Sequence, residues 1–77
     1  MIDENTKHEE ILFKKAKIFL SEKTIVHLKK FNGTFYNGRL FEVNELSLKI
    51  HDREDGLKKV FFVEIKSLDE YEVDGRE

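Results

Sequence analysis

The sequence predicts a mainly β domain with one N-terminal α-helix, its five short antiparallel strands curled into a small barrel. Three observations carry this. From Thr24 to Val73 the chain runs in short stretches of alternating apolar and polar residues, the period of a half-buried strand. Turn signals separate the stretches: Asn32-Gly33, Asn44-Glu45 and Asp52-Arg53-Glu54-Asp55-Gly56. A turn glycine, Gly33, is followed by a glycine inside a strand, Gly38, where a bulge, a sharp bend or a close backbone approach is expected.

The helix is expected over about residues 6–21. Thr6-Lys7-His8-Glu9 has the form of a capping box, in which the Thr6 hydroxyl accepts from the Glu9 amide and the Glu9 side chain reaches back. On a 3.6-residue period Leu12, Phe13, Ala16, Phe19 and Leu20 share one face, and Lys7, Glu10, Lys14 and Lys17 the other. Ile11 and Ile18 lie off the main stripe, either on a wide buried arc or on a second contact surface. The barrel follows over about residues 23–73. Its strands are expected at Thr24 to Lys30, Thr34 to Val43, Leu46 to His51, Leu57 to Val63 and Lys66 to Val73, with Asp74 to Glu77 fraying. The run Val60-Phe61-Phe62-Val63 poses a problem, because a strand buries only alternate residues against one core. Something must cover the other set.

Seventy-seven residues make one domain, 1–77, with a modest core that benefits from an additional staple. The chain contains no cysteine, so a disulfide and a thiolate metal site are both excluded. The polar first ten residues carry no apolar signal-peptide region, and no apolar run approaches the ~20 residues of a membrane span. A cytoplasmic location without membrane association is therefore expected. Oligomerisation is the staple left open. The net charge of −2 gives no global attraction to nucleic acid, but its distribution is uneven. Lys7, Lys14, Lys15, Lys17, Lys23, Lys29 and Lys30 load the first half, and Glu64, Asp69, Glu70, Glu72, Asp74 and Glu77 the end.

No constellation of nucleophile, base and oxyanion donors is legible, so the chain is not expected to be an enzyme and no cofactor is implied. Glycine-rich phosphate loops are missing. His8, His27 and His51 lack close metal-ligand spacing, and His51 and Asp52, adjacent on a strand, point to opposite faces. Single-strand nucleic-acid binding has a better case. Lys29, Lys30, Arg39, Arg53, Lys58 and Lys59 are placed to ring one face with Phe31, Phe35 and Phe41 nearby. Cations that track phosphate beside aromatic platforms for bases make such a surface. Alternation along the second strand leaves Phe35 and Phe41 outward unless the bend at Gly38 reverses the phase.

The chain resembles the Sm-like (LSm) family from about residue 6 to residue 73. The first Sm motif has a loop glycine, a mid-strand glycine five positions on and a hydrophobic residue two further, the spacing of Gly33, Gly38 and Leu40. Val26 and Leu28 match its first strand, Leu48 to Asp52 the end of its third, and Val60, Ile65 and Leu68 the hydrophobic frame of its second motif. The resemblance implies an Sm-like or related SH3-like barrel that binds single-stranded RNA and forms rings by pairing strand four of one subunit with strand five of the next. It departs from the family at the uridine pocket. Asn44-Glu45-Leu46-Ser47 stands where RNA-binding members carry Asp, a stacking ring and Asn, and Phe61-Phe62 stands where they carry Arg-Gly. Only Asn44 carries over, at the Asp position. The expected function is thus a divergent Sm-like, RNA-associated homo-oligomer acting by binding. Its expected nucleic-acid-binding residues are Lys29, Lys30, Arg39, Asn44, Lys58 and Lys59. The alternative is a protein-interaction module that kept the barrel and lost RNA.

Overall fold

The computed structural model describes residues 4–71, with side chains from residue 7 onward. Helix α1 spans Glu4–Glu22, and β1 (Ile25–Lys30), β2 (Phe35–Val43), β3 (Ser47–Asp52) and β4 (Gly56–Phe61) follow. A 3-10 turn at Phe62–Glu64 then leads into β5, Ile65–Glu70. The helix begins two residues ahead of Thr6, and the side-chain bond expected of Thr6 lies outside the described residues. The predicted stripe is the packed one: Leu12 and Ala16 are buried, with Phe13, Phe19 and Leu20 against the same core. Ile11 and Ile18 are exposed. Lys23 closes the helix in the left-handed region (φ 57°), where its N–H reaches the Leu20 carbonyl and the Thr24 N–H the Phe19 carbonyl. These two bonds satisfy carbonyls that the helix end would otherwise orphan. No helix among the described residues is long and apolar enough to cross a membrane.

The strands form one antiparallel sheet in the order β4-β3-β2-β1-β5. The β1–β2 hairpin turns at Gly33, whose φ of 93° is the conformation that glycine adopts without steric cost. β2 carries a register shift between Leu40 and Glu42, which leaves Phe41 as the extra residue of a bulge. The inner face holds Val26, Leu28, Leu40, Leu48, Ile50, Val60 and Leu68, all buried, and α1 packs across β2, β5 and the 3-10 turn. Phe13 of the helix meets Phe62 edge-on, ring centroids 6.0 Å apart.

Three expectations are corrected. Among the described residues the sheet does not close into a barrel: β4 and β5 are its two edges, and neither bonds the other. The cause is the 3-10 turn, which carries the chain away from β4 and delivers β5 to β1, with the Phe62 N–H on the Leu46 carbonyl and the Phe31 N–H on the Glu64 carbonyl. The same turn ends β4 at Phe61 instead of Val63, and one alternate set of the apolar run stays uncovered. Val60 and Phe62 are buried, at 2% and 1% exposure, while Phe61 and Val63 point out. Leu46, expected inside the third strand, precedes it and is exposed. The fifth strand ends at Glu70, and its expected continuation to Val73, with the fraying after it, lies outside the described residues.

Candidate functional site

The β3–β4 turn is fixed to β2 by one carboxylate. Asp52 is the last residue of β3, and its side chain is buried on the inner side opposite Gly38. Its Oδ1 accepts the Asn37 N–H at 2.8 Å, and its Oδ2 accepts the N–H groups of Glu54 (2.9 Å) and Asp55 (2.8 Å). Burial opposes ionisation of this group. The backbone donors of Asp55, Asn37 and Glu54, helped by the Lys58 ammonium, outweigh that and hold its carboxyl below the usual aspartate value. The turn and β2 are further joined by the Arg53 N–H, which donates to the Asn37 carbonyl.

Register then sets the outer face. His27 stands opposite Asn37, and Asn37 is bonded to Arg53 across the next gap. One row along, Ile25, Arg39, His51 and Leu57 are successive cross-strand partners. One row the other way, Lys29 faces Phe35. Direct partners lie about 5 Å apart, so Lys29, Phe35, His27, Asn37, Arg53, Arg39 and His51 form one continuous patch. The His27 Nδ1–H donates to Asn37 Oδ1, and the His27 ring lies 5.5 Å from that of Phe35. Phe35 is 56% exposed, as its alternation predicts, and Phe41 is exposed at its bulge. Among the described residues neither Arg39 nor Arg53 forms an ion pair, whereas Lys15 pairs with Asp69, Lys30 with Glu64 and Lys49 with Glu42.

The six expected nucleic-acid residues do not gather at one place. Lys29 and Arg39 share the outer patch. Lys30 points the other way and is held by Glu64 at 3.1 Å. Lys58 pairs in register with the buried Ile50 and lies on the inner side, near Asp52. Lys59 is on the outer side at the far edge, its ammonium 5.2 Å from the Phe61 ring centre. Asn44 donates its amide to Glu42 Oε2 at 3.0 Å. That bond, followed by Lys49 and Lys59, keeps the Glu42 carboxyl below its ordinary value. Of the aromatics, Phe31 sits at the β1–β2 turn beside His8, whose Nε2–H donates to the Ile65 carbonyl. His27, Asn37 and His51 were not singled out by sequence as binding residues. Their signal was the hairpin register that Asn32-Gly33 sets, which brings His27 opposite Asn37.

Two hollows border the patch on either side of the Asp52-Arg53-Glu54 corner. One, of about 710 Å³, is open and lies between Arg39, His51 and Arg53 over Ile25. The other, of about 430 Å³, is more enclosed and lies between Phe35, Asn37, Arg53, Asp55 and Tyr71. Among the described residues no three histidine or acidic side chains converge as metal ligands. In comparison with known proteins, no family model matches the chain and no curated protein matches it in sequence.

Proposed function

We propose that this chain is a divergent Sm-like protein that binds single-stranded RNA without catalysis, on the outer face of its sheet, as a homo-oligomer. The observation that carries the reading is the patch itself. Lys29, Arg39 and Arg53 present cations on one side of the sheet beside the exposed ring of Phe35, the pairing of phosphate contacts and a base platform that single-strand binders use. The order of helix and strands and the Gly33-Gly38-Leu40 spacing support the Sm-like assignment. The two unpaired edges support self-association. β4 carries Lys58 and Lys59, and β5 carries Glu70 and the Lys15-bound Asp69 beside one cation, Lys66, so pairing β4 of one copy with β5 of the next sets a basic edge against a mildly acidic one and removes both edges. Phe61, exposed at the end of β4, and Val63, exposed in the 3-10 turn after it, would be covered in the same contact.

Fluorescence anisotropy with labelled U-rich and A-rich oligonucleotides tests this, with mass by light scattering on the same sample. An oligomer that binds both RNAs is expected, and its affinity falls with salt. Three phosphate contacts per subunit give a slope of about −2 in log affinity against log salt. A monomer that binds neither RNA at micromolar protein leaves a protein-interaction module. For that second reading Ile11 and Ile18, half exposed on the helix at 50% and 56%, mark the contact surface.

A further inference from the structure

The two hollows meet at Arg53 and Glu54, which line both. We infer that together they form a site for one nucleotide, with its base against Phe35 and Asn37 and its phosphate between Arg39 and Arg53; this rests on the RNA-binding reading above. Asn37 and Arg39 are alternate residues on one strand face, about 7 Å apart at about 3.4 Å per residue, a spacing that suits a base edge and its own phosphate.

Each part of the site has a physical reason. Phe35 offers an exposed ring already flanked by His27, so a base gains a stacking surface and displaces little. The Asn37 carboxamide has its oxygen engaged by His27, which leaves its Nδ2 donors for a base edge. Arg39 and Arg53 carry the guanidinium forks that fit phosphate oxygens, and among the described residues no carboxylate pairs with them. The Asp52 carboxylate, although it borders both hollows, is turned inward onto three backbone N–H groups, which also hold Arg53 in place.

Two acidic groups sharpen the choice of ligand. Glu54 borders both hollows and Asp55 the enclosed one, and both are exposed. A bare polyanion meets repulsion from them. A nucleotide brings ribose hydroxyls and base amines, for which the same carboxylates are acceptors. The site therefore fits a nucleotide unit better than phosphate alone.

The test uses the full chain, labelled eight-nucleotide A and U oligomers, and inorganic polyphosphate as an unlabelled competitor. Phe35→Ala and Arg53→Gln change exposed side chains, and circular dichroism confirms that each variant is folded. Lys14→Gln is the control, removing one exposed cation from α1. Phe35→Ala is expected to weaken binding about tenfold at every salt concentration, as loss of a stacking ring does. Arg53→Gln should weaken binding and flatten the salt dependence, Lys14→Gln should stay within twofold of the parent chain, and polyphosphate should compete poorly. If RNA binds but Phe35→Ala is as tight as the parent, or polyphosphate competes as well as RNA at equal charge, the nucleotide site is overturned while the RNA-binding reading stands. If the parent chain binds neither oligomer at micromolar protein, both fall.

Discussion

Gly38→Val is expected to leave the protein largely unfolded at room temperature. Gly38 lies in the middle of β2, paired with Val26 on one side and Asp52 on the other. A Cβ built there would overlap the carbonyl oxygen of His51 and come within 2.8 Å of its carbonyl carbon. The obstacle is backbone, which cannot rotate aside as a side chain can, so β2 and β3 must part. Overpacking a core costs about 1–3 kcal/mol even where side chains yield, and here the cost is expected to exceed that range. A domain of this size is typically stable by about 5–10 kcal/mol, so most of its stability would go. Gly38→Ala should be damaging for the same reason, since the clash begins at Cβ. Far-ultraviolet circular dichroism with thermal melting checks both variants. A Gly38→Val chain that melts within a few degrees of the parent would mean that the strands are not this close.

Asp52→Ala carries the next largest expected effect, a loss of about 3 kcal/mol. Hydrogen bonds to charged groups are worth about 1.5–3 kcal/mol, and this carboxylate accepts three. Water reaches the turn amides of Glu54 and Asp55 once the carboxylate is gone, so the three contributions do not add in full. The bonds also predict a pH dependence whose sign is fixed. The folded state holds the Asp52 carboxyl below its ordinary value, so the unfolded chain binds this proton more readily. The stabilisation is fully present above about pH 4, the ordinary aspartate value, and is lost as the pH falls through the lower folded value. Urea unfolding between pH 7 and pH 2 should show the parent chain losing stability in acid. Asp52→Asn, less stable at pH 7, should show a shallower decline. Parallel curves for the two proteins would remove Asp52 as the acid-sensitive anchor of the turn.

The β1–β2 hairpin was legible in the sequence because two signals agreed there. The alternation through Val26 and Leu28 set the buried face, and Asn32-Gly33 set the turn. The end of β4 was not legible. Val60 to Val63 is apolar at every position, so periodicity could not locate the 3-10 turn that begins at Phe62, and Val60 and Phe62 would share a face in an unbroken strand as well. That turn also decides that the sheet stays open, since it directs β5 to β1. The bulge at Phe41 likewise has no glycine or proline to announce it.

The site was half legible for a related reason. Lys29 and Lys30 are neighbours on one strand, as are Lys58 and Lys59, and neighbouring side chains on a strand point to opposite faces. Each pair had to be divided by the sheet, and Lys30 and Lys58 turn inward. Arg39 lies on the outer face, where its alternation with Gly38 and Leu40 puts it. The His27–Asn37 bond depends on cross-strand register, and Arg53, although legible among the cations of the sequence, is tied to Asn37 by a backbone bond that no local pattern displays.

Whether single-stranded RNA lies on the outer face of the sheet is decided by an amide NMR titration of the isotope-labelled chain with an eight-nucleotide RNA. Resonances of Phe35, Asn37, Arg39, His51 and Arg53 are expected to shift together and saturate with one affinity. Shifts confined to α1 or to residues 44–46, or none at all, would contradict it.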